Sequence, residues 1–209
     1  MKLKQLEMTL QRLAPFSRPR AALEQYQTPA PLAARLLFHA LMKGDIDGKR
    51  VCDLGCGTGV LAIGAALLGA GSVVAVDIDD GALAVAQKNA LLLDADVTFI
   101  AADLREGCRD PAGPCDTVIM NPPFGAQKAH ADRPFIDCAL AIAPVTYSIF
   151  NAGSAQFVTA YTQGRATVTE RVGGAFPIKR TFAFHTRDVQ EIEVEILRLE
   201  RNPNPLNRA

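Results

Sequence analysis

The sequence predicts an α/β fold: a mostly parallel sheet of seven strands with helices on both faces, closed on one side by an antiparallel C-terminal strand pair. Three observations carry this. Apolar strand-like runs alternate with helical segments from Arg50 to Phe150, an order that calls for a parallel sheet covered on both faces. A glycine turn containing Gly55, Gly57 and Gly59 follows the first strand and opens a helix. Further on the pattern changes: Arg165 to Val172 and Val189 to Leu199 read as strands with no strong helix between them, as in a mixed sheet.

The elements follow in order. Leu3, Leu6, Leu10 and Leu13 recur at helical spacing, so residues 2–13 form a short amphipathic helix ending before Pro15. Thr28 caps a second helix with Pro29 at its first position, running to about Met42. Then come a buried strand at Arg50 to Leu54, a helix at Val60 to Leu68, a strand at Ser72 to Val76 and a helix at Ala82 to Leu93. Strands at Val97 to Ala101, Thr117 to Met120 and Val145 to Phe150 complete the parallel part, with a helix through Phe135 to Ala143. No repeat or linker divides the chain, so one domain spanning 1–209 is expected. Residues 1–45 act as a helical leader that contributes to the site, and 200–209 form a loose tail.

Composition narrows the class. Hydrophobic residues are 49% of the chain and charged ones 21%, the balance of a globular domain, and 22 basic residues offset 22 acidic ones. Without a global basic field, any nucleic-acid partner must be held by a local patch. Five cysteines without a CxxC pair read as reduced core thiols, with no zinc site or disulfide frame. No apolar signal core and no membrane span is evident, so a cytoplasmic location is expected.

The first site lies in Asp53-Leu54-Gly55-Cys56-Gly57-Thr58-Gly59. Glycines let the backbone turn tightly and approach a ligand, and Asp77, roughly 20 residues on, ends the second strand where it can take both ribose hydroxyls. The spacing is Gly-x-Gly-x-Gly and an acid stands before it. A carboxylate there repels a pyrophosphate but attracts an amine or a sulfonium, which favours S-adenosylmethionine over a dinucleotide. Asp103 can then hold the adenine amino group and Leu104 cover the ring, although Asp103 also suits a helix cap.

The second site is Asn121-Pro122-Pro123-Phe124, directly after the fourth strand. An exocyclic NH2 is a poor nucleophile because its lone pair is delocalised. If the Asn121 side-chain oxygen and the Pro122 carbonyl each accept one N–H, the lone pair turns toward an electrophilic methyl. Pro122 and Pro123 fix the direction of that carbonyl, and Phe124 can stack on a flipped base. These residues suit a nucleobase or a glutamine amide equally.

The two motifs together resemble class I S-adenosylmethionine-dependent methyltransferases acting on exocyclic amino groups, whose fold is Rossmann-like. With Leu23-Glu24-Gln25-Tyr26-Gln27-Thr28, Leu68-Gly69-Ala70-Gly71, Asp77-Ile78-Asp79 and Asp116 to Gly125, the chain resembles over nearly its whole length the small eukaryotic and archaeal enzymes that make N6-methyladenosine in small-subunit ribosomal RNA. The resemblance implies that Gln25, Thr28, Asp53, Gly55, Gly57, Thr58, Gly59, Asp77, Ile78, Asp103, Leu104 and Asn121 surround the cofactor and that Asn121 to Phe124 are catalytic. It also implies a small zinc-binding activator protein pairing along a sheet edge, with Val97 to Ala101 as the candidate strand.

One segment departs from the family: Phe176 to Arg187 is less basic here, though Lys179, Arg180, Phe182 and His185, together with Lys128, Phe124, His130 and Arg133, can still meet RNA phosphates and bases. Glutamine N5-methylation of a protein, DNA amino-methylation and a cofactor-binding ribonucleoprotein scaffold stand as alternatives. The first two are disfavoured because enzymes of those kinds carry an additional substrate-recognition domain.

Overall fold

A computed structural model describes residues 1–107, 112–125, 129–179 and 189–203, with the side chains of 175–179 and 189–192 excepted. Its elements are α1 (Leu3–Leu10), α2 (Ala30–Met42), β1 (Arg50–Leu54), α3 (Val60–Leu67), β2 (Ser72–Asp77), α4 (Asp80–Leu92), β3 (Thr98–Ala101), β4 (Thr117–Met120), α5 (Arg133–Ile142), β5 (Val145–Asn151), α6 (Ala155–Tyr161), β6 (Ala166–Lys179) and β7 (Val189–Arg201).

The seven strands form one sheet in the order β3-β2-β1-β4-β5-β7-β6. β1 to β5 run parallel, whereas β7 pairs antiparallel with both β5 and β6. Two apolar layers sandwich this sheet. On one face Leu6, Leu36, Leu37 and Ile63 of α1, α2 and α3 pack on Val51, Ile119 and Tyr147. On the other, Ile136, Ala139 and Leu140 of α5 and Val158 of α6 meet Leu54, Val118, Met120 and Phe150. Neighbouring residues of β4 enter opposite layers, the period-two alternation of a strand buried on both faces.

The chain reverses direction across the sheet between β1 and β4, the place where open α/β sheets leave a crevice outside their C-terminal strand ends. Leu54 lies level with Val76 on one side and Met120 on the other. Gly55, Asp77 and Asn121 therefore leave three adjacent strands at the same height.

All seven expected strands are present, but β6 and β7 run further than expected, and β7 extends to Arg201 because Glu200 and Arg201 still pair with Val145 and Ala166, so the expected loose tail does not begin at 200. Thr28 does not cap α2: Pro29 occupies the cap position with no side-chain hydrogen bond, and the Thr28 hydroxyl is engaged elsewhere. α6 was not expected, because seven residues are too few to establish a helical period, although Val158 is buried and Ala155, Phe157 and Tyr161 pack against the same layer. β6 continues to Lys179, seven residues beyond the expected end at Val172, although Gly173, Gly174 and Pro177 lower its strand propensity; the pairing with β7 outweighs them. Asn151, the last residue of β5, pairs with Val194. The remainder of the β6–β7 ribbon, from Gly174 and Val194 to Lys179 and Val189, therefore runs past β5 on the side of the crevice.

Cys52, Cys56 and Cys115 are free and buried as expected, whereas Cys138 is disulfide-bonded, a correction to the reading of all five as thiols. Among the described residues no helix is long and apolar enough to cross a membrane.

Candidate active site

The crevice is a cleft of about 270 Å³ lined by the leader, the glycine turn, the ends of β2, β3 and β4 and the start of α5. Gly55, Gly57 and Gly59 have φ of 72°, 53° and 84°, left-handed values that L side chains rarely adopt. A Cβ on Gly55 would lie 2.7 Å from the Phe135 ring, and one on Gly57 2.7 Å from the Phe16 ring. Close packing and backbone conformation therefore both require glycine at these two positions.

Asp53 is 1% exposed. Its Oδ2 accepts the N–H of Ala62 at 2.9 Å, satisfying one of the free donors in the first turn of α3, while Oδ1 is buried with no partner. Burial pushes this carboxyl up to about 8; the Ala62 bond opposes the rise and the charge of Asp77 adds to it. An orphaned carboxylate oxygen in the cleft wall is suited to a cationic ligand group.

Asp77 is also raised, first by burial. Its Oδ2 accepts the Gly57 N–H at 2.8 Å and its Oδ1 the Asp79 N–H at 2.9 Å. Each oxygen keeps a lone pair for a hydroxyl, so the pair of ribose contacts remains feasible. Ile78 is 45% exposed, an apolar surface on the cleft. Asp103 and Leu104 line the opposite wall. There the sequence expectation is modified: both Asp103 oxygens face the Arg105 guanidinium, with Nε at 2.8 and 2.9 Å.

Gln25, expected beside the cofactor, lines the cleft. It is 7% exposed, with its amide nitrogen donating to Asp79 at 2.7 Å and its oxygen accepting from the Arg20 N–H at 2.7 Å. Gln25 therefore holds the leader in place as well as lining the cleft. Burial works against ionisation of Asp79, but bonds from Gln25 and Gly81 hold its carboxyl below the ordinary range.

At the end of β4, the Asn121 side-chain nitrogen donates to the Thr28 hydroxyl at 3.0 Å, and its Oδ1 is buried without a partner. Pro122 is buried, and Pro123 and Phe124 are half-buried. The Phe124 N–H donates to Glu24 at 2.8 Å. Two residues that periodicity could not have singled out, Phe16 and Asn89, complete the frame. Asn89 is 2% exposed and bonds both Ala14 and the Thr58 carbonyl, tying leader to glycine turn.

Among the other expected substrate contacts, Lys128, Arg180, Phe182 and His185 lie outside the described residues, and Lys179 ends β6 with its backbone alone described. His130 is on the cleft wall with φ of 65°. Arg133 is drawn away from it, its guanidinium 5.8 and 5.2 Å from the Phe157 and Tyr161 ring centres.

Five parallel strands, an antiparallel closing pair and a glycine turn at the switch point make a Rossmann-like fold of the kind that S-adenosylmethionine-dependent methyltransferases have. Residues 31–168 match the methyltransferase small domain, and the chain belongs to that family. It is 41% identical to an uncharacterized protein of Methanocaldococcus jannaschii, covering 96% of this chain and 94% of the relative. It is 33% identical to the zebrafish (Danio rerio) rRNA N6-adenosine-methyltransferase METTL5, covering 95% and 98%. A crystal structure of a candidate RNA methyltransferase from Pyrococcus horikoshii superposes with a TM-score of 0.88 at 38% identity over 98% of each chain.

Proposed function

We propose that the protein methylates the N6 amino group of adenine in RNA, with small-subunit ribosomal RNA as the substrate. One observation carries the chemistry: the Asn121 amide presents a buried, unpartnered oxygen at the end of β4, beside the glycine turn. A buried acceptor left empty costs free energy, roughly 1–3 kcal/mol. An exocyclic N–H offered by a flipped base relieves that cost, and a second N–H goes to the Pro122 carbonyl.

S-adenosylmethionine supplies a methyl group on a sulfonium, and with it the leaving group. The chain supplies position. Asp53 Oδ1 takes the cationic end of the cofactor, Asp77 the ribose, and Ile78, Asp103 and Leu104 the adenine. Gly55, Gly57, Thr58 and Gly59 let the backbone approach, while Gln25 and Thr28 close the leader side. Phe124 stacks on the acceptor base, a contact that contributes roughly 1–3 kcal/mol in single-strand binders.

Support for RNA comes from the rRNA N6-adenosine-methyltransferase relatives, which align along nearly the whole chain. The β6–β7 ribbon is suited to the same substrate, since it extends past β5 on the crevice side of the sheet with Lys179 at its end. We further propose a single domain acting in the cytoplasm with a small zinc-binding activator. β3 is the terminal strand of the sheet and pairs only with β2 among the described residues, leaving a free edge for such a partner.

The test is tritium transfer from labelled cofactor to ribosomal RNA from cells lacking the protein, with Asn121→Ala in parallel and the activator supplied. Wild type is expected to label one adenosine and the variant none. Label appearing in release factors or DNA but not in RNA overturns the substrate; equal labelling by Asn121→Ala overturns the mechanism.

A further inference from the structure

Glu24 has no part in the two motifs, yet its carboxylate accepts the backbone N–H of Phe124 at 2.8 Å. We propose that Glu24 is a positioning residue for the methyl acceptor, acting through the peptide between Pro123 and Phe124. The proposal rests on the reading of Asn121 to Phe124 as the grip on that acceptor.

Three observations support it. First, Glu24 has φ of 50° and ψ of 42°, a left-handed conformation unusual for a residue other than glycine, asparagine or aspartate. A side chain kept at such a backbone position has to be compensated by its contacts, and positions of this kind cluster at ligand sites. Second, the bond is charge-assisted, a carboxylate on a backbone donor, which is among the stronger hydrogen bonds a protein can make. Third, the neighbouring leader residues are fixed separately. Gln25 is tied to Asp79, Thr28 takes the Asn121 amide nitrogen, and Phe16 rests on Gly57.

The leader therefore holds the cofactor wall at one point and the acceptor wall at another, with Glu24 as a rigidly placed post between them. Its physical task follows from the motif. Pro122 and Pro123 have no N–H, so the Phe124 N–H is the first backbone donor after Asn121 by which the turn can be held. Fixing it sets the plane of the Pro123–Phe124 peptide and so the Pro123 carbonyl, and with the φ of Pro123 held by its ring it narrows the directions open to the Pro122 carbonyl. An error of about 1 Å in such a constellation can lower the rate on the order of 10²-fold.

The experiment compares wild type, Glu24→Gly, Glu24→Gln and Asn121→Ala. Glycine removes the carboxylate while retaining ease at a left-handed φ, and glutamine keeps an oxygen that can accept the same N–H. Single-turnover methyl transfer to ribosomal RNA is expected to fall at least about tenfold in Glu24→Gly and to stay within about threefold of wild type in Glu24→Gln, with S-adenosylmethionine affinity within about twofold in both. Exchange of the Phe124 amide is expected to be slow in wild type and Glu24→Gln and at least about tenfold faster in Glu24→Gly.

Wild-type transfer rates in Glu24→Gly, unchanged amide exchange, or a loss of cofactor affinity that accounts for the slower transfer would each overturn the proposal. Asn121→Ala separates the two readings. If it is inactive while Glu24→Gly is not, only the role of Glu24 falls; if it is fully active, the acceptor reading falls with it.

Discussion

The Asn121 amide nitrogen donates to the Thr28 hydroxyl at 3.0 Å while the amide oxygen is buried with no partner. A leader residue thus sets which end of the Asn121 side chain, proposed above to hold the methyl acceptor, is left without a partner. Replacing Asn121 by Ala removes the acceptor. Transfer is expected to fall on the order of 10²–10³-fold, the range seen when one preorganised polar contact is removed, while calorimetric S-adenosylmethionine affinity changes by less than about threefold.

Thr28→Val deletes the hydroxyl and lets the Asn121 amide rotate. We expect a fall in kcat on the order of tenfold with little change in stability, and recovery in Thr28→Ser, which restores an oxygen at the same place. Equal loss in both variants would exclude the hydroxyl as the cause.

Asp53 predicts a pH dependence. Its carboxyl lies at about 8 in the folded chain, above its ordinary range, so the folded state keeps a proton that the unfolded state has released. Ligand-free stability should therefore fall as pH rises from the ordinary carboxylate range and level off above about 8. Affinity for the cationic cofactor should move the other way, rising by at most about tenfold per pH unit until the carboxyl is ionised. Asp53→Asn is expected to abolish both trends, to raise the ligand-free Tm at pH 7 and to weaken cofactor binding. Thermal scans and titrations between pH 5 and 9 read all three.

Gly57→Ala tests the turn. Its φ of 53° is costly for alanine, roughly 1–2 kcal/mol, and the new Cβ would meet the Phe16 ring at 2.7 Å. Cofactor affinity is expected to fall at least about tenfold. Adding Phe16→Leu should recover part of the packing loss but none of the backbone cost, which a double-mutant cycle would measure.

Tyr147→Phe serves as a control away from the cleft. The hydroxyl of this fully buried residue donates to Asp45 at 2.7 Å and accepts from Arg198 at 2.9 Å, tying β5 to β7 and to the loop before β1. Its loss should cost roughly 1–3 kcal/mol in denaturant unfolding and leave cofactor affinity unchanged.

Much of this enzyme was legible in local sequence. The runs read as β1 and β4 match the observed strands end to end, because strands buried on both faces are written largely in apolar residues, with Arg50 and Asp53 the charged exceptions in β1. Gly55, Gly57 and Gly59 were read as a tight turn after β1, and the structure has one there, with φ of 72°, 53° and 84°. Where packing rather than periodicity governs, sequence reading fell short. α6 is too short to establish a helical period, and β6 crosses two glycines and a proline because β7 lies beside it. Thr28 was read as a helix cap, the commonest local use of a threonine before a helix; its hydroxyl instead meets a residue 93 positions away.

The sequence by itself determined the fold class and the kind of chemistry, since strand period, glycine turn and Asn-Pro-Pro-Phe are each written within a few consecutive residues. Only the tertiary structure decided how the leader takes part. Glu24 reaches Phe124 across 100 positions and Asn89 reaches Ala14 across 75. Such bonds depend on where the topology brings two chain segments together, and neither spacing nor periodicity records that. The motif carries the groups proposed to grip a planar amine, and the folded leader is hydrogen-bonded to two of its residues, Asn121 and Phe124.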